Sequence, residues 1–490
     1  VSSPGTSKLG LELEMIPVGL ADGRLHVVDD AYFQALNALR GGEESVKRLD
    51  GRIVALSGRR GVTGLDNGFA LLETALAPID AAPGAMAVLE DRVSSELREI
   101  SRVLADRGAA LVNLARHPDA PVDWATWERL KAPRLVYEYL VHDRGWNHAL
   151  GFDGQAQNGP TIGVSPDHAI RALNMLFWAG PAFIALFANS PLAAGRPTGL
   201  LESRMAFWPG VTATSRVPGD RAKVGLPPAP FRHLGEYFAW TFGDDRPMLA
   251  IPRAAGAYKG EDGLSRVAGD PSFLAFLGGG PRLAHPIRPG GADLSQAEET
   301  VPDLAHVEAL QWANFLDFRV RYAFDGTDGD PRAFLDAMDE PGAMEAFFEE
   351  RATNLYLENR VVGACFADSH LKSHPNPDVA RSAPLAASAL QWGLMKNLER
   401  VEAVMGADYW LDLAGLRDRS IAVGLADGGV ENRAKTVLAL AENGLPEEDR
   451  WALAFAWDVL LTKQSNADRA LDEYSRGGIL GLMTSRLLVD

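Results

Sequence analysis

A second cysteine is missing from this 490-residue chain: Cys365 stands alone. That excludes an intramolecular disulfide and any all-cysteine metal site. The usual state of such a residue is a small buried hydrophobe without chemistry of its own, and a reducing, cytoplasmic setting is the expectation. Runs of Lys and Arg are missing too. With 65 acidic against 48 basic residues and a formal net charge of −17, the chain offers no clustered cationic surface for a phosphate backbone, so no nucleic-acid partner is expected. The opening residues lack a basic start followed by an apolar core and a small-residue cleavage site, and no secretory signal is expected. The longest stretch without a charge, residues 172–195, approaches membrane-spanning length. It contains Asn174, Pro181, Asn189 and Pro191, and is read as a buried helix rather than a span, with no membrane partner. The run Gly278-Gly279-Gly280 lacks the Lys and Ser/Thr of a phosphate-binding P-loop.

What is present is an ordinary globular composition, 47% hydrophobic and 23% charged, enough to bury a sizeable core. Residues 9–17 alternate, Leu11, Leu13 and Met15 on one side and Glu12, Glu14 and Ile16 on the other, which predicts a strand. Between 86 and 104 the apolar positions Met86, Leu89, Val93, Leu97, Ile100 and Leu104 recur at helical spacing, and the opposite face of that helix is a solvated charge pattern. Weaker periodicity predicts helices over 124–144, 167–189, 385–405 and 447–463, and a helix followed by a short strand over 237–257. Gly/Pro-rich segments 151–163, 209–230 and 278–294 read as loops.

Three predicted strands place a carboxylate where apolar residues would continue the pattern. One carries Glu12 and Glu14; the second, 69–76, carries Glu73; the third, 355–360, puts Tyr356, Glu358 and Arg360 on one face. A lone strand glutamate is ordinarily an exposed side chain or a salt-bridge partner. If the strands adjoin, however, four carboxylates converge, and their repulsion calls for protons or divalent cations. Magnesium suits such oxygen ligands. Arg360 is either a structural partner of Glu358 or a bidentate contact for a phosphoryl group. His370 and His374 have the spacing of a helical metal pair, but Ser373 and Pro375 point to a loop and a structural role. Arg116-His117-Pro118 is a substrate loop or a turn.

Several of these segments resemble the glutamate-cysteine ligase family, in particular its plant and proteobacterial branch. Leu9-Gly10-Leu11-Glu12-Leu13-Glu14 is similar to the family's opening Gly-x-Glu-x-Glu strand, and Glu73 to its next metal-binding glutamate. The nearest likeness is Ala-Leu-Phe-Ala-Asn-Ser-Pro followed by Gly-Arg-Pro-Thr-Gly-Leu-Leu-Glu-Ser-Arg and Trp208, within which Arg204, Trp208 and the later Arg216 fall at family positions. Leu357-Glu358-Asn359-Arg360 resembles the family's Leu-Glu-x-Arg strand. One departure stands out: where the family has Gln-x-Asn, direct register puts Gly159 and Thr161, with Gln155 and Gln157 nearby as substitutes.

The resemblance implies an α+β, glutamine-synthetase-like fold: a mainly antiparallel, curved sheet flanked by helices in a catalytic body over 1–380, and a mostly helical region over 381–490 packed on it. It implies an ATP- and magnesium-dependent ligase that phosphorylates a glutamate-like acid and joins the acyl phosphate to an amine such as cysteine. Glu12, Glu14, Glu73 and Glu358 would be metal ligands, and Arg360 would steady the phosphoryl group. Arg204 and Arg216 would bind substrate carboxylate or phosphate, Trp208 and Glu358 would belong to the nucleotide site, and Gln155, Gln157 and Thr161 would contact substrate. Another amine or acid, and a non-catalytic nucleotide-binding regulator, remain open alternatives.

Overall fold

The computed structural model describes residues 8–151, 154–243, 250–253, 263–324 and 329–488. Its centre is an antiparallel sheet of eleven strands, labelled here in chain order: β1 Lys8–Gly19, β2 Ser45–Leu49, β3 Arg52–Gly58, β4 Gly61–Leu65, β5 Leu72–Leu76, β6 Ile79–Asp80, β7 Ala109–Val112, β8 Asn158–Gly163, β9 Phe318–Phe324, β10 Ala352–Asn359 and β11 Leu487–Leu488. The main path runs β9-β10-β8-β1-β5-β4-β3-β2, so β1 lies near its middle; β6 and β7 also pair with β1, and β11 pairs with β7.

The alternation of β1 decides which side of the sheet is core. Leu9, Leu11, Leu13 and Met15 are buried, and on that side the helix Ala386–Lys396 packs against β1 and β8. Glu12 and Glu14 point the other way, as successive strand residues must. Behind the Ala386–Lys396 helix lies Gly428–Gly444. The two cross at backbone contact, since a Cβ on Gly393 would come within 2.2 Å of the Ala441 carbonyl oxygen. Pro166–Leu186 packs on the same layer. It is the one helix among the described residues long and apolar enough to cross a membrane, and 89% of its apolar window is buried inside the protein, as expected for a core helix.

Two of the ties between the helical C-terminal region and the sheet side close open ends. Asp449 accepts from the backbone N–H of Gly84 and Met86 at 2.8 and 2.9 Å, and so satisfies the open amides at the start of the Ala85–Ala105 helix. Beyond the Asn466–Arg486 helix, β11 adds to β7, and the Arg486 carbonyl accepts from the Asn113 N–H at 2.8 Å.

Some local expectations are corrected. The helix expected over 124–144 is broken after Leu130 and resumes as Leu135–Glu138 with a π-helical turn Tyr139–Asp143, because Pro133 has no N–H to continue it. The helix expected over 385–405 is two, ending at Lys396 and restarting at Leu398; that over 447–463 opens with a 3-10 stretch Glu447–Leu453 before Ala454–Thr462. The expected loop 151–163 contains β8. The expected loop 278–294 contains the strand Arg282–Arg288 of a second, five-stranded sheet, and 209–230 carries helical turns at Phe207–Thr212 and Pro218–Lys223. The helix Leu234–Phe242 and strand Ala250–Pro252 match the expectation for 237–257; its parts over 244–249 and 254–257 lie outside the described residues.

Candidate active site

Strand register brings the predicted carboxylates onto one face. Glu14 is directly opposite Glu73 across β1 and β5; Glu12 is opposite Gly159 on β8, and Glu358 of β10 is opposite Thr161 of β8. Glu12 and Glu358 are thus on strands separated only by β8. All four line one cleft of about 230 Å³, also lined by Asp66, Arg319, Arg321, Trp208 and Arg360. One wall, Val136, Tyr137, Leu140, Trp312 and Phe315, is largely apolar. A smaller recess continues from it, sharing Glu14, Asp66, Gln157, Trp208 and Arg360 and adding Gln155, Arg204 and Phe207.

The carboxylates are poorly neutralised at the β1–β5 side. Burial, then the charge of Glu358, pushes the Glu12 carboxyl up to about 7, against the pull of Arg321 and Arg319. Glu14 is pushed well above the usual carboxylate range by burial, then by Asp66 and Glu73, with Arg204 opposing. Its Oε2 accepts from the Gln157 N–H at 2.9 Å. Glu358 behaves differently. Burial alone would raise it, but Arg319, Arg321 and Arg360 overcome burial and hold it at about 2.

The arginines are fixed from behind. Arg204 is buried; its Nε donates to Glu202 at 3.2 Å, its Nη1 and Nη2 each donate to the Arg360 carbonyl at 3.1 Å, and Nη1 lies 3.4 Å from Gln157 Oε1. Glu202 is fully buried and also accepts from the Asn189 N–H at 2.7 Å. Arg360 leaves the sheet just after β10. Its guanidinium carbon sits 5.6 Å from the Trp208 ring centre and 5.5 Å from that of Phe315, two rings whose centres are 4.5 Å apart, a cation–π arrangement. Burial, then Arg319, draws the Arg360 pKa down to about 10.

Not every expected residue comes to the cleft. Arg216 is exposed and donates to the carbonyls of His142 and Asp143 at 2.8 and 3.1 Å; it lines neither the cleft nor the recess. Thr161 lies between Glu358 and Gly10 in register but outside both linings, and its hydroxyl would be 2.4 Å from a Cβ on Gly10. Gln155 and Gln157 do reach the recess. Cys365 is buried and inert, its thiol pushed up to about 12 by burial and then Asp368. His374 stands beside Asp458, with only His370 on the short Ser369–Lys372 helix, so the two do not form a helical pair.

Sequence reasoning missed Asp66, Arg319, Arg321 and the apolar wall. For Arg319 and Arg321 the signal existed, since Phe318-Arg319-Val320-Arg321-Tyr322 alternates as a strand does. Asp66 sits in the turn after β4, whose backbone Arg134 pins through the Leu65 carbonyl at 2.9 Å and the Asp66 carbonyl.

Among the described residues no three His, Cys, Asp or Glu side chains are already clustered as a closed metal site. The donor set nonetheless fits magnesium, which takes one or two carboxylates with waters and phosphates rather than an all-protein cage. The raised Glu12 and Glu14 are what a cation would relieve.

Residues 8–243 match the sequence pattern of glutamate-cysteine ligase family 2, so the resemblance read from the motifs holds over nearly half of the chain. No curated protein matches the chain in sequence. Among solved structures, a glutamate–cysteine ligase from Francisella tularensis in complex with AMP is similar over 99% of this chain and 89% of that one, at 11% identity and a TM-score of 0.52. At that identity the likeness speaks for a shared fold. A bifunctional glutathione synthetase from Pasteurella multocida matches 98% of this chain and 52% of its own, at 12% identity and a TM-score of 0.42.

Proposed function

We propose that this chain, whose N-terminal part carries the glutamate-cysteine ligase family 2 pattern, is an ATP- and magnesium-dependent ligase joining the γ-carboxylate of glutamate to the amine of cysteine. An enzyme of the ligase class is what the family match itself supports; the reaction and substrates are the proposal. The observation that carries it is the convergence of Glu12, Glu14, Glu73 and Glu358 with Arg204 and Arg360 around one cleft. Acidic ligands for a cation and guanidinium groups for phosphate are the parts phosphoryl transfer needs, because its catalysis is positioning and charge neutralisation.

In this reading an oxygen of the substrate carboxylate attacks the γ-phosphorus of ATP, the bond to the β-phosphate oxygen breaks, and ADP leaves. The amine nitrogen then attacks the acyl carbon, loses a proton, and expels phosphate. Bound magnesium would screen the triphosphate and polarise its terminal phosphoryl oxygens. Glu12, Glu14, Glu73 and Glu358 would hold it, with Asp66 as a further oxygen donor. Arg360, backed by the Trp208 and Phe315 rings, faces the transferring group, and Trp208 with the apolar wall receives the nucleotide's flat base. Arg204 takes the acid's carboxylate in the recess that Gln155 and Gln157 also line. We assign the catalytic body to residues 1–380, the helical packing region to 381–490, and the setting to the cytoplasm, in glutathione biosynthesis.

A second reading keeps the mechanism and changes the amine. Gly159 is directly opposite Glu12 and has no side chain where the family carries a long polar one, and a Cβ there would already touch the Asn359 carbonyl and the Glu12 side chain at 3.5–3.7 Å.

ADP release with Mg-ATP and L-glutamate across a panel of amines, with mass spectrometry of the product, tests both. Cysteine-dependent γ-glutamylcysteine supports the first reading. Turnover only with another amine supports the second. Saturable Mg-ATP binding with no turnover on any pair removes both in favour of a binding-only protein.

A further inference from the structure

Both oxygens of Glu358 are held by one guanidinium. Arg319 Nε donates to its Oε2 and Arg319 Nη2 to its Oε1, both at 2.9 Å, and the remaining arm, Nη1, donates to the Asn314 carbonyl at 2.8 Å. Arg321 Nε adds a contact at 3.4 Å to Oε2. The anchor is itself rigid. Asn314 is buried, donates to the Tyr237 hydroxyl at 3.0 Å and accepts from the Leu316 N–H at 2.9 Å.

A divalent cation at Glu358 would bind through one of the same two oxygens. A guanidinium spanning both at hydrogen-bond distance repels a doubly charged ion there, so the ion binds better once the guanidinium withdraws. What can draw a guanidinium from a carboxylate is a phosphate, whose oxygens match the same planar fork. The phosphates of a nucleotide in this cleft would meet Arg319, Arg321 and Arg360 along one side.

We propose, resting on the nucleotide-binding reading above, that Arg319 is the resident counter-ion of Glu358 and keeps this carboxylate closed to a divalent cation until a nucleotide's phosphates take over the guanidinium. The cation at Glu358 therefore binds only together with nucleotide. Arg319 is a positioning residue, acting on the metal through Glu358.

Mn²⁺ titration followed by electron paramagnetic resonance, which counts bound against free ion, tests this without turnover. Wild type should bind one ion fewer than it does with the β,γ-imido analogue of ATP. R319M should gain that ion without nucleotide, at least about tenfold tighter than wild type, and E358Q should lose it under every condition. R319K keeps the charge with a single donor group, and its intermediate gain guards against misfolding of R319M; thermal unfolding of both variants runs alongside. A nucleotide-free affinity in R319M and R319K no greater than in wild type overturns the proposal, as does a full set of ions on wild type alone. If the variants gain the ion but the analogue adds none to wild type, the Arg319 lock stands and the nucleotide reading falls.

Discussion

Thr74 and Glu73 are neighbours on β5 that point to opposite faces, and each looks onto an acidic cluster. On the Thr74 side, buried Glu96 accepts from Thr63 and Thr74 hydroxyls at 2.7 and 2.8 Å and pairs with Arg40 at 2.5 Å. Arg40 also reaches Glu99 at 2.9 Å and Glu44 at 3.3 Å, and Arg60 reaches Glu99 at 2.5 Å. Burial would raise Glu99, yet Arg60 and Arg40 hold it below its ordinary range. On the Glu73 side, Glu14 faces Asp66 and Glu73 and is pushed up. Two adjacent residues of one strand thus look onto an ion cluster held by Arg40 and Arg60 on one face and onto a crowd of carboxylates that raises Glu14 on the other. Closure is what structural ion clusters need, since a buried charge without a partner is costly. A buried carboxylate raised by neighbouring carboxylates, as Glu14 is, marks a candidate ligand-binding face.

The largest expected effect attacks the open cluster. E14Q or E73Q should lower kcat/KM by about 10²–10³ or more, the scale of removing one group that stabilises the transition state, while urea unfolding shows stability unchanged or raised because a repelling charge is gone. A variant that loses stability along with activity would mean the two clusters are alike. E96Q should do the reverse, costing about 3 kcal/mol of stability as the penalty for breaking a buried ion pair, with kcat/KM per folded molecule unchanged. Next is pH. The Glu12 carboxyl is raised from 4.5 to about 7 in the folded chain, so between those values the folded state holds a proton the unfolded state has released. Through Glu12 alone, metal-free stability should therefore fall as pH rises from 4.5 to 7, by about 1 kcal/mol per pH unit, on top of the fall from Glu14, which is raised as well. E12Q should lessen that slope and added Mg²⁺ reduce it; a slope untouched by E12Q would assign it to Glu14 or another group. The smallest effect is expected outside both clusters: R216M should shift stability and ligase activity by less than about 0.5 kcal/mol each, and a large loss of activity would bring Arg216 back to the reacting groups.

The open cluster is partly legible in the sequence. Glu12, Glu14, Glu73 and Glu358 interrupt alternating apolar strands, and alternation is a local signal that survives folding. β8 is not legible. Its sequence, Asn158-Gly159-Pro160-Thr161-Ile162-Gly163, has turn chemistry throughout, and proline within a central strand argues against one. Pro160 is tolerated because it pairs with Leu11 on the β1 side, whereas pairing with β10 runs only from Gly163 to Thr161. The strand is imposed by its neighbours rather than by its own residues. The apolar wall is equally hidden, since Val136, Tyr137, Trp312 and Phe315 meet only through long-range packing that no local period encodes. The closed cluster too is invisible, because Arg40, Thr63, Thr74 and Glu96 come from four separate elements.

The pairing of β11 with β7, itself hydrogen-bonded to β1, sets an order in time. As the chain emerges from a ribosome, β1 and β7 are made long before Leu487–Leu488, and domains take shape as synthesis proceeds. Until Leu487–Leu488 are released, β7 presents an open edge next to the strand that carries Glu12 and Glu14. Contacts this distant in sequence slow folding, and open edges invite pairing with other chains. The nascent protein is thus a natural client for chaperones until β11 is made, and disrupting Leu487–Leu488 should tell first in solubility.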